Sequence, residues 1–140
     1  MSQIYDPLKL EVDWSYRTIL IVEDVYQNYK FLKTALEKTK AKIRHASDGQ
    51  EAVSMCTEDK NIDLVLMDLH LPRMSGLAAT KEIKKNRKDI TVIAQTAFVL
   101  SGERDICLQA GCDEYIPKPI RSNELIVKIR NCLIKQGKEA

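Results

Sequence analysis

The run Thr18-Ile19-Leu20-Ile21-Val22 is apolar and rich in β-branched residues without interruption, and a strand with no polar face has to be covered on both sides. Two later runs repeat the pattern. Ile62-Asp63-Leu64-Val65-Leu66-Met67 ends on Asp68, and Ile90-Thr91-Val92-Ile93-Ala94 ends on Gln95-Thr96. By contrast, Lys42-Ile43-Arg44-His45-Ala46 places charged or polar groups at alternate positions, which suits a strand at a sheet edge. A fifth, shorter strand is Glu114-Tyr115-Ile116, stopped by Pro117.

Helical spacing fills the gaps between these runs. Val25, Tyr29, Leu32 and Leu36 form one apolar face, and Leu125, Ile126, Ile129, Cys132 and Leu133 form another. Asp48 with Glu51 reads as a capping box, Ser101 and Ser122 as further caps, and Gly111 as a left-handed helix stop. Strands alternating with helices call for an α/β fold: a doubly wound, five-stranded parallel sheet in flavodoxin-like (β/α)5 form. Right-handed crossovers put helices on both faces, and an edge-like second strand favours the order 2-1-3-4-5.

Composition bounds the function. The 140 residues carry 22 Lys plus Arg against 20 Asp plus Glu, a net charge of +2. That is enough chain for one compact domain and too little positive charge for a nucleic-acid footprint or a polybasic membrane anchor. No apolar run approaches the roughly 20 residues of a membrane helix, and Asp6, Pro7 and Glu11 stand where a signal peptide needs apolar residues. A cytoplasmic protein is expected, with no direct nucleic-acid partner and no membrane contact by this domain. The four cysteines, Cys56, Cys107, Cys112 and Cys132, have no C-x-x-C spacing and read as small buried apolar residues. Residues 1–17 stand apart as an extension or linker, with Tyr5, Trp14 and Tyr16 able to pack on a domain covering residues 18–140.

In an open parallel sheet the ligand site lies beyond the carboxyl ends of the strands. Strand 1 delivers Glu23 and Asp24, strand 3 delivers Asp68, strand 4 delivers Thr96, and strand 5 leads to Lys118. Three crowded carboxylates persist at neutral pH when a cation sits among them or one acid holds a proton. Hard oxygen ligands suit Mg²⁺, which keeps open positions for a phosphoryl oxygen, and a lysine neutralises a second such oxygen.

The segments I-L-I-V-E-D (19–24), L-V-L-M-D-L-H-L-P-R-M-S-G (64–76), A-Q-T-A (94–97) and Y-I-P-K-P-I (115–120), in this order, resemble the receiver domain of two-component response regulators. The resemblance runs from about residue 18 to residue 135. It implies that Asp68 is the phosphoacceptor, taking a phosphoryl group from the phosphohistidine of a histidine kinase or a histidine phosphotransfer protein. It also implies a Mg²⁺ site formed by Glu23, Asp24, Asp68 and the backbone carbonyl of His70. Thr96, Ala97 and Lys118 would bind the phosphoryl group, Thr96 and Tyr115 would act as the switch, and the bond between Lys118 and Pro119 would be cis. The surface of the fourth helix, fifth strand and fifth helix would then change and be read by a partner.

Other features admit bland explanations. The His70 side chain borders the path of attacking water in this family, or is simply an exposed loop histidine. Ser75 stands where the family commonly has an acid and reads as a helix cap. Lys81, Lys84, Lys85, Arg87 and Lys88 read as a solvated helix end in preference to a docking patch. Phe98, Val99 and Leu100 form either a partner-facing patch or part of the packing under the fourth helix. Asp13-Trp14-Ser15-Tyr16-Arg17 resembles the linkers of bacterial hybrid sensor kinases, so the expected context is the carboxyl-terminal receiver of such a kinase, tethered where the parent is membrane-bound. A free-standing regulator is the runner-up.

Competing functions are an interaction module that no longer needs phosphorylation, a Mg²⁺-dependent phosphatase, and a flavin or nucleotide binder. The complete acid, hydroxyl and lysine set argues against the first. The second would need an aspartate where His70 stands, and the third lacks G-x-G-x-x-G. The domain itself is expected not to be an enzyme beyond assisting its own phosphorylation and dephosphorylation.

Overall fold

A computed structural model of the chain describes residues 12–97 and 102–137. Five strands, β1 (Thr18–Val22), β2 (Lys42–Ala46), β3 (Ile62–Asp68), β4 (Thr91–Thr96) and β5 (Glu114–Pro117), form one parallel sheet in the order β2-β1-β3-β4-β5. Between and after them lie α1 (Tyr26–Leu36), α2 (Gly49–Glu58), α3 (Gly76–Asn86), α4 (Glu103–Ala110) and α5 (Ser122–Lys135), with a 3-10 turn at Glu37–Thr39. The expected architecture and strand order are the observed ones. Among the described residues, no helix is long and apolar enough to cross a membrane.

Alternation along the central strands feeds two cores. Ile19 and Ile21 of β1, Leu64 and Leu66 of β3 and Ile93 of β4 pack with Leu32 and Leu36 of α1 and with Leu125, Ile126 and Ile129 of α5. Their neighbours Leu20, Val22, Val65, Met67, Val92 and Ala94 face the opposite layer, meeting Ala52, Cys56, Ala79, Ile83 and Cys107. Each large side chain buried this way contributes about 1.5–3 kcal/mol. All four cysteines are buried and free, and burial pushes the thiols of Cys56, Cys112 and Cys132 up to about 11, 12 and 11.

Several local expectations hold. Asp48 accepts from Glu51 N–H at 2.8 Å while the Glu51 carboxylate accepts from Ser47 N–H at 2.7 Å, a capping box displaced by one residue at its return bond. Ser75 caps α3 by accepting from Ala78 N–H, and Gly111 ends α4 with φ +107°.

Others are corrected. Val25 is 45% exposed and caps α1 in extended geometry, because the chain is still leaving β1 at that point; the buried face of α1 starts lower, at Leu32. Ser122 is already the first helical residue of α5, and Arg121 holds the cap position without a side-chain bond. β4 reaches two residues further than its apolar run, since Gln95 and Thr96 pair with Asp68 and Pro117 despite their polarity. Of the five cations around the end of α3, two are structural. Arg87 is buried and donates to the carbonyls of Cys56, Asp59, Lys60 and Ile62, and Lys84 bonds Ile90 O at 2.6 Å and Asp113 at 2.8 Å. Phe98, Val99, Leu100 and the expected cap Ser101 lie outside the described residues, as do residues 1–11. Trp14, from the expected extension, is fully buried in the α1–α5 core, and its backbone N–H donates to Thr39 O at 2.7 Å.

Candidate functional site

Parallel strands deliver their terminal residues to one rim, and here β1, β3, β4 and β5 bring Glu23, Asp24, Asp68, Thr96 and Lys118 together. Carboxylate oxygens of Glu23, Asp24 and Asp68 lie within 4.8 Å of one another. Glu23 and Asp68 are buried at 1% and 3% exposure, whereas Asp24 is exposed. The Lys118 ammonium stands 3.6 Å from Glu23 Oε1 and 3.5 Å from Asp68 Oδ2.

Backbone bonds fix these positions. Glu23 N–H donates to Ala46 O, Leu69 N–H to Gln95 O, and Lys118 N–H to Thr96 O at 2.7 Å. His70 N–H donates to Asp68 Oδ1 at 3.0 Å, orienting the carboxylate from the loop that follows β3. That loop folds back so tightly that a Cβ on Gly76 would sit 2.2 Å from Asp68 O, which accounts for glycine after Ser75. The Lys118–Pro119 peptide bond is cis, as the resemblance implied.

The electrostatics are unbalanced without a further cation. Burial raises the Glu23 carboxyl above its usual range, the neighbouring Asp68 charge raises it further, and Lys118 opposes both. Glu23 Oε1 is buried and makes no hydrogen bond among the described residues. A hard divalent cation would satisfy this oxygen and the crowded acids together, so the residues present fit Mg²⁺.

Glu23, Asp24, Asp68, Thr96 and Lys118 share this rim. Tyr115 is half-buried on β5, packed against the α2–α4 core, and Ala97 is exposed just beyond β4. The His70 side chain is exposed. Three participants were not legible beforehand. His45, poor as a metal ligand, stacks on Tyr29 at 3.8 Å and places Nε2 2.9 Å from Glu23 O. Gln95 is 1% exposed, neither of its amide atoms has a hydrogen-bond partner among the described residues, and it lines a cavity of about 530 Å³ with Glu23, Phe31, Leu32, Lys118 and Ile120. Glu103, in the first turn of α4, accepts a hydrogen bond from the Thr96 hydroxyl. An acid in a helix's first turn is expected from the dipole alone, so its partner leaves no mark on the sequence.

A family model for the response regulator receiver domain matches residues 19–130. The polar-differentiation response regulator DivK of Brucella anthropi is 36% identical over 119 residues, which span 84% of this chain and 96% of DivK. Hybrid signal transduction histidine kinase I of Dictyostelium discoideum is 36% identical over 129 residues, 86% of this chain and 7% of that protein. The chain therefore spans nearly all of the short relative and a small part of the long one. The receiver domain of sensor histidine kinase PA1611 from Pseudomonas aeruginosa PAO1, with magnesium coordinated in its active site cleft, superposes with a TM-score of 0.75 at 34% identity, covering 86% of this chain and 98% of that one. The receiver domain of Saccharomyces cerevisiae Ssk1, solved with the histidine phosphotransfer protein Ypd1, gives a TM-score of 0.80 at 31% identity, covering 90% and 94%.

Proposed function

The chain belongs to the response regulator receiver domain family of two-component signalling, and from that premise we propose that it accepts a phosphoryl group on Asp68 from the phosphohistidine of a histidine kinase or histidine phosphotransfer protein. The carrying observation is the buried Asp68 carboxylate at the end of β3, set among Glu23, Asp24 and Lys118.

An Asp68 carboxylate oxygen attacks phosphorus, the bond from phosphorus to the donor imidazole nitrogen breaks, and the ring, already protonated on its other nitrogen, leaves as neutral imidazole while Asp68 becomes an acyl phosphate. His70 N–H holds the other carboxylate oxygen in place, and Lys118 neutralises a phosphoryl oxygen. The Thr96 hydroxyl and Ala97 N–H donate to the remaining oxygens. Glu23, Asp24, Asp68 and the His70 carbonyl would hold Mg²⁺, which supplies charge neutralisation between the carboxylate and the incoming phosphoryl group. Once modified, the site draws Thr96 inward and Tyr115 follows, shifting the population of the α4–β5–α5 surface. The domain assists only its own modification and hydrolysis.

Residues 18–140 form the receiver in this reading, and Val12 and Trp14 of the 1–17 extension pack on it. The likeness to hybrid kinase I and to the PA1611 receiver supports a hybrid-kinase parent, while the near-complete span of DivK supports the free-standing alternative.

The test is intact-mass measurement after incubation with Mg²⁺ and acetyl phosphate. Wild type gains one phosphate, Asp68→Asn gains none, and EDTA suppresses the gain. Equal incorporation by Asp68→Asn would remove Asp68 from its role.

A further inference from the structure

Thr96 has one hydroxyl proton, and in this structure it is given to Glu103. We infer that Glu103 is a positioning residue that latches Thr96 away from the phosphoacceptor and sets how readily the site closes on a phosphoryl group. The inference rests on the phosphoacceptor reading above and adds to it the side chain that opposes the switch.

The geometry separates two requirements. Thr96 main chain is anchored, since its carbonyl accepts from Lys118 N–H at 2.7 Å and its strand register pairs it with Pro117. Its side chain is fully buried and shares the face of β4 that Ala94 presents to the α2–α4 layer. Bringing the hydroxyl to a phosphoryl oxygen therefore means a change of rotamer, and a threonine has few rotamers to choose from. Glu103 and a phosphoryl group are both anionic acceptors competing for the same proton, so the bond to be given up is charge-assisted and of the stronger kind. The residue before Glu103 is Gly102, at φ +90°. Glycine holds that left-handed conformation without the strain a Cβ would bring, so the backbone can turn there into the first residue of α4.

The latch predicts a thermodynamic cycle. Beryllofluoride with Mg²⁺, a non-covalent mimic of the phosphorylated carboxylate, is titrated into wild type, Glu103→Ala, Thr96→Ala and the double variant, with affinity read from amide shifts in NMR spectra. Removing the competing acceptor should tighten binding about tenfold in Glu103→Ala, as expected for a hydrogen bond to a charged group, and less in Glu103→Gln. The gain should vanish in the Thr96→Ala background. A general effect of the α4 helix dipole or of α4 stability would persist there, which separates latch from scaffold. The Thr96 methyl shift should also move in ligand-free Glu103→Ala. Equal affinities for wild type and Glu103→Ala, or a gain that survives Thr96→Ala, would overturn the latch alone. No beryllofluoride uptake by wild type would overturn the phosphoacceptor reading and the latch with it.

Discussion

Lys118 and Asp68 stand 3.5 Å apart although their strands, β5 and β3, are not neighbours: β4 runs between them. The lysine reaches the acid from the loop past its strand and meets Glu23 of the next strand over at 3.6 Å. One ammonium thus offsets two buried carboxylates.

Lys118→Met should expose that dependence. Removing one partner of a buried ion pair leaves uncompensated charge, and a loss of about 3 kcal/mol is expected in EDTA. Magnesium affinity should rise several-fold, because no ammonium then competes for the same oxygens, while phosphate incorporation falls. Urea unfolding with and without Mg²⁺, together with calorimetric titration, measures both. Unchanged stability in EDTA would mean that Lys118 is not compensating the acids.

Glu23 sets a pH dependence of definite sign. Its folded-state carboxyl is raised by burial and by Asp68, so the folded protein keeps this proton to higher pH than the unfolded chain does. Its contribution to stability is full below the ordinary glutamate value and is lost as pH rises through the raised folded value. Glu23→Gln should abolish that decline, making the metal-free protein the more stable of the two at neutral pH, and should weaken Mg²⁺ binding. Urea midpoints across acid to neutral pH in EDTA give the slope; a wild-type midpoint that rises with pH through this window and a variant no steadier would contradict the assignment.

Arg87 differs from its basic neighbours. Its guanidinium spans the carbonyls of Cys56 and Ile62 at 3.1 and 2.9 Å and ties the α2–β3 connection to the end of α3. Lysine cannot reproduce that fork, so Arg87→Lys should cost about 2–4 kcal/mol. Lys81→Ala and Lys88→Ala, at exposed positions, should stay within about 0.5 kcal/mol of wild type. Denaturation midpoints of the three variants rank them directly.

Trp14 closes one end of the α1–α5 core. Trp14→Ala should destabilise the domain by about 3–5 kcal/mol, and removal of residues 1–17 should do at least as much harm. As the single tryptophan, it also reports unfolding by fluorescence, whose midpoint should coincide with that from circular dichroism. A truncated chain as stable as the whole would show that Trp14 only rests on the domain.

What the sequence determined is what local patterning can carry. Continuous apolar runs marked the three central strands, alternation marked β2 as an edge, and a parallel sheet then obliged Glu23, Asp24, Asp68, Thr96 and Lys118 to meet at one rim. Asp48 with Glu51, Ser75 and Gly111 announced helix ends because capping uses near neighbours. Tertiary structure decided whatever depends on contact between separate elements: that Trp14 is core, that Arg87 and Lys84 are tethers and not solvated charges, that Gln95 is buried, and that Glu103 accepts a hydrogen bond from Thr96. Hydrogen bonds and burial between elements far apart in the chain are set by which faces the crossovers bring together, and composition at either partner alone does not record them.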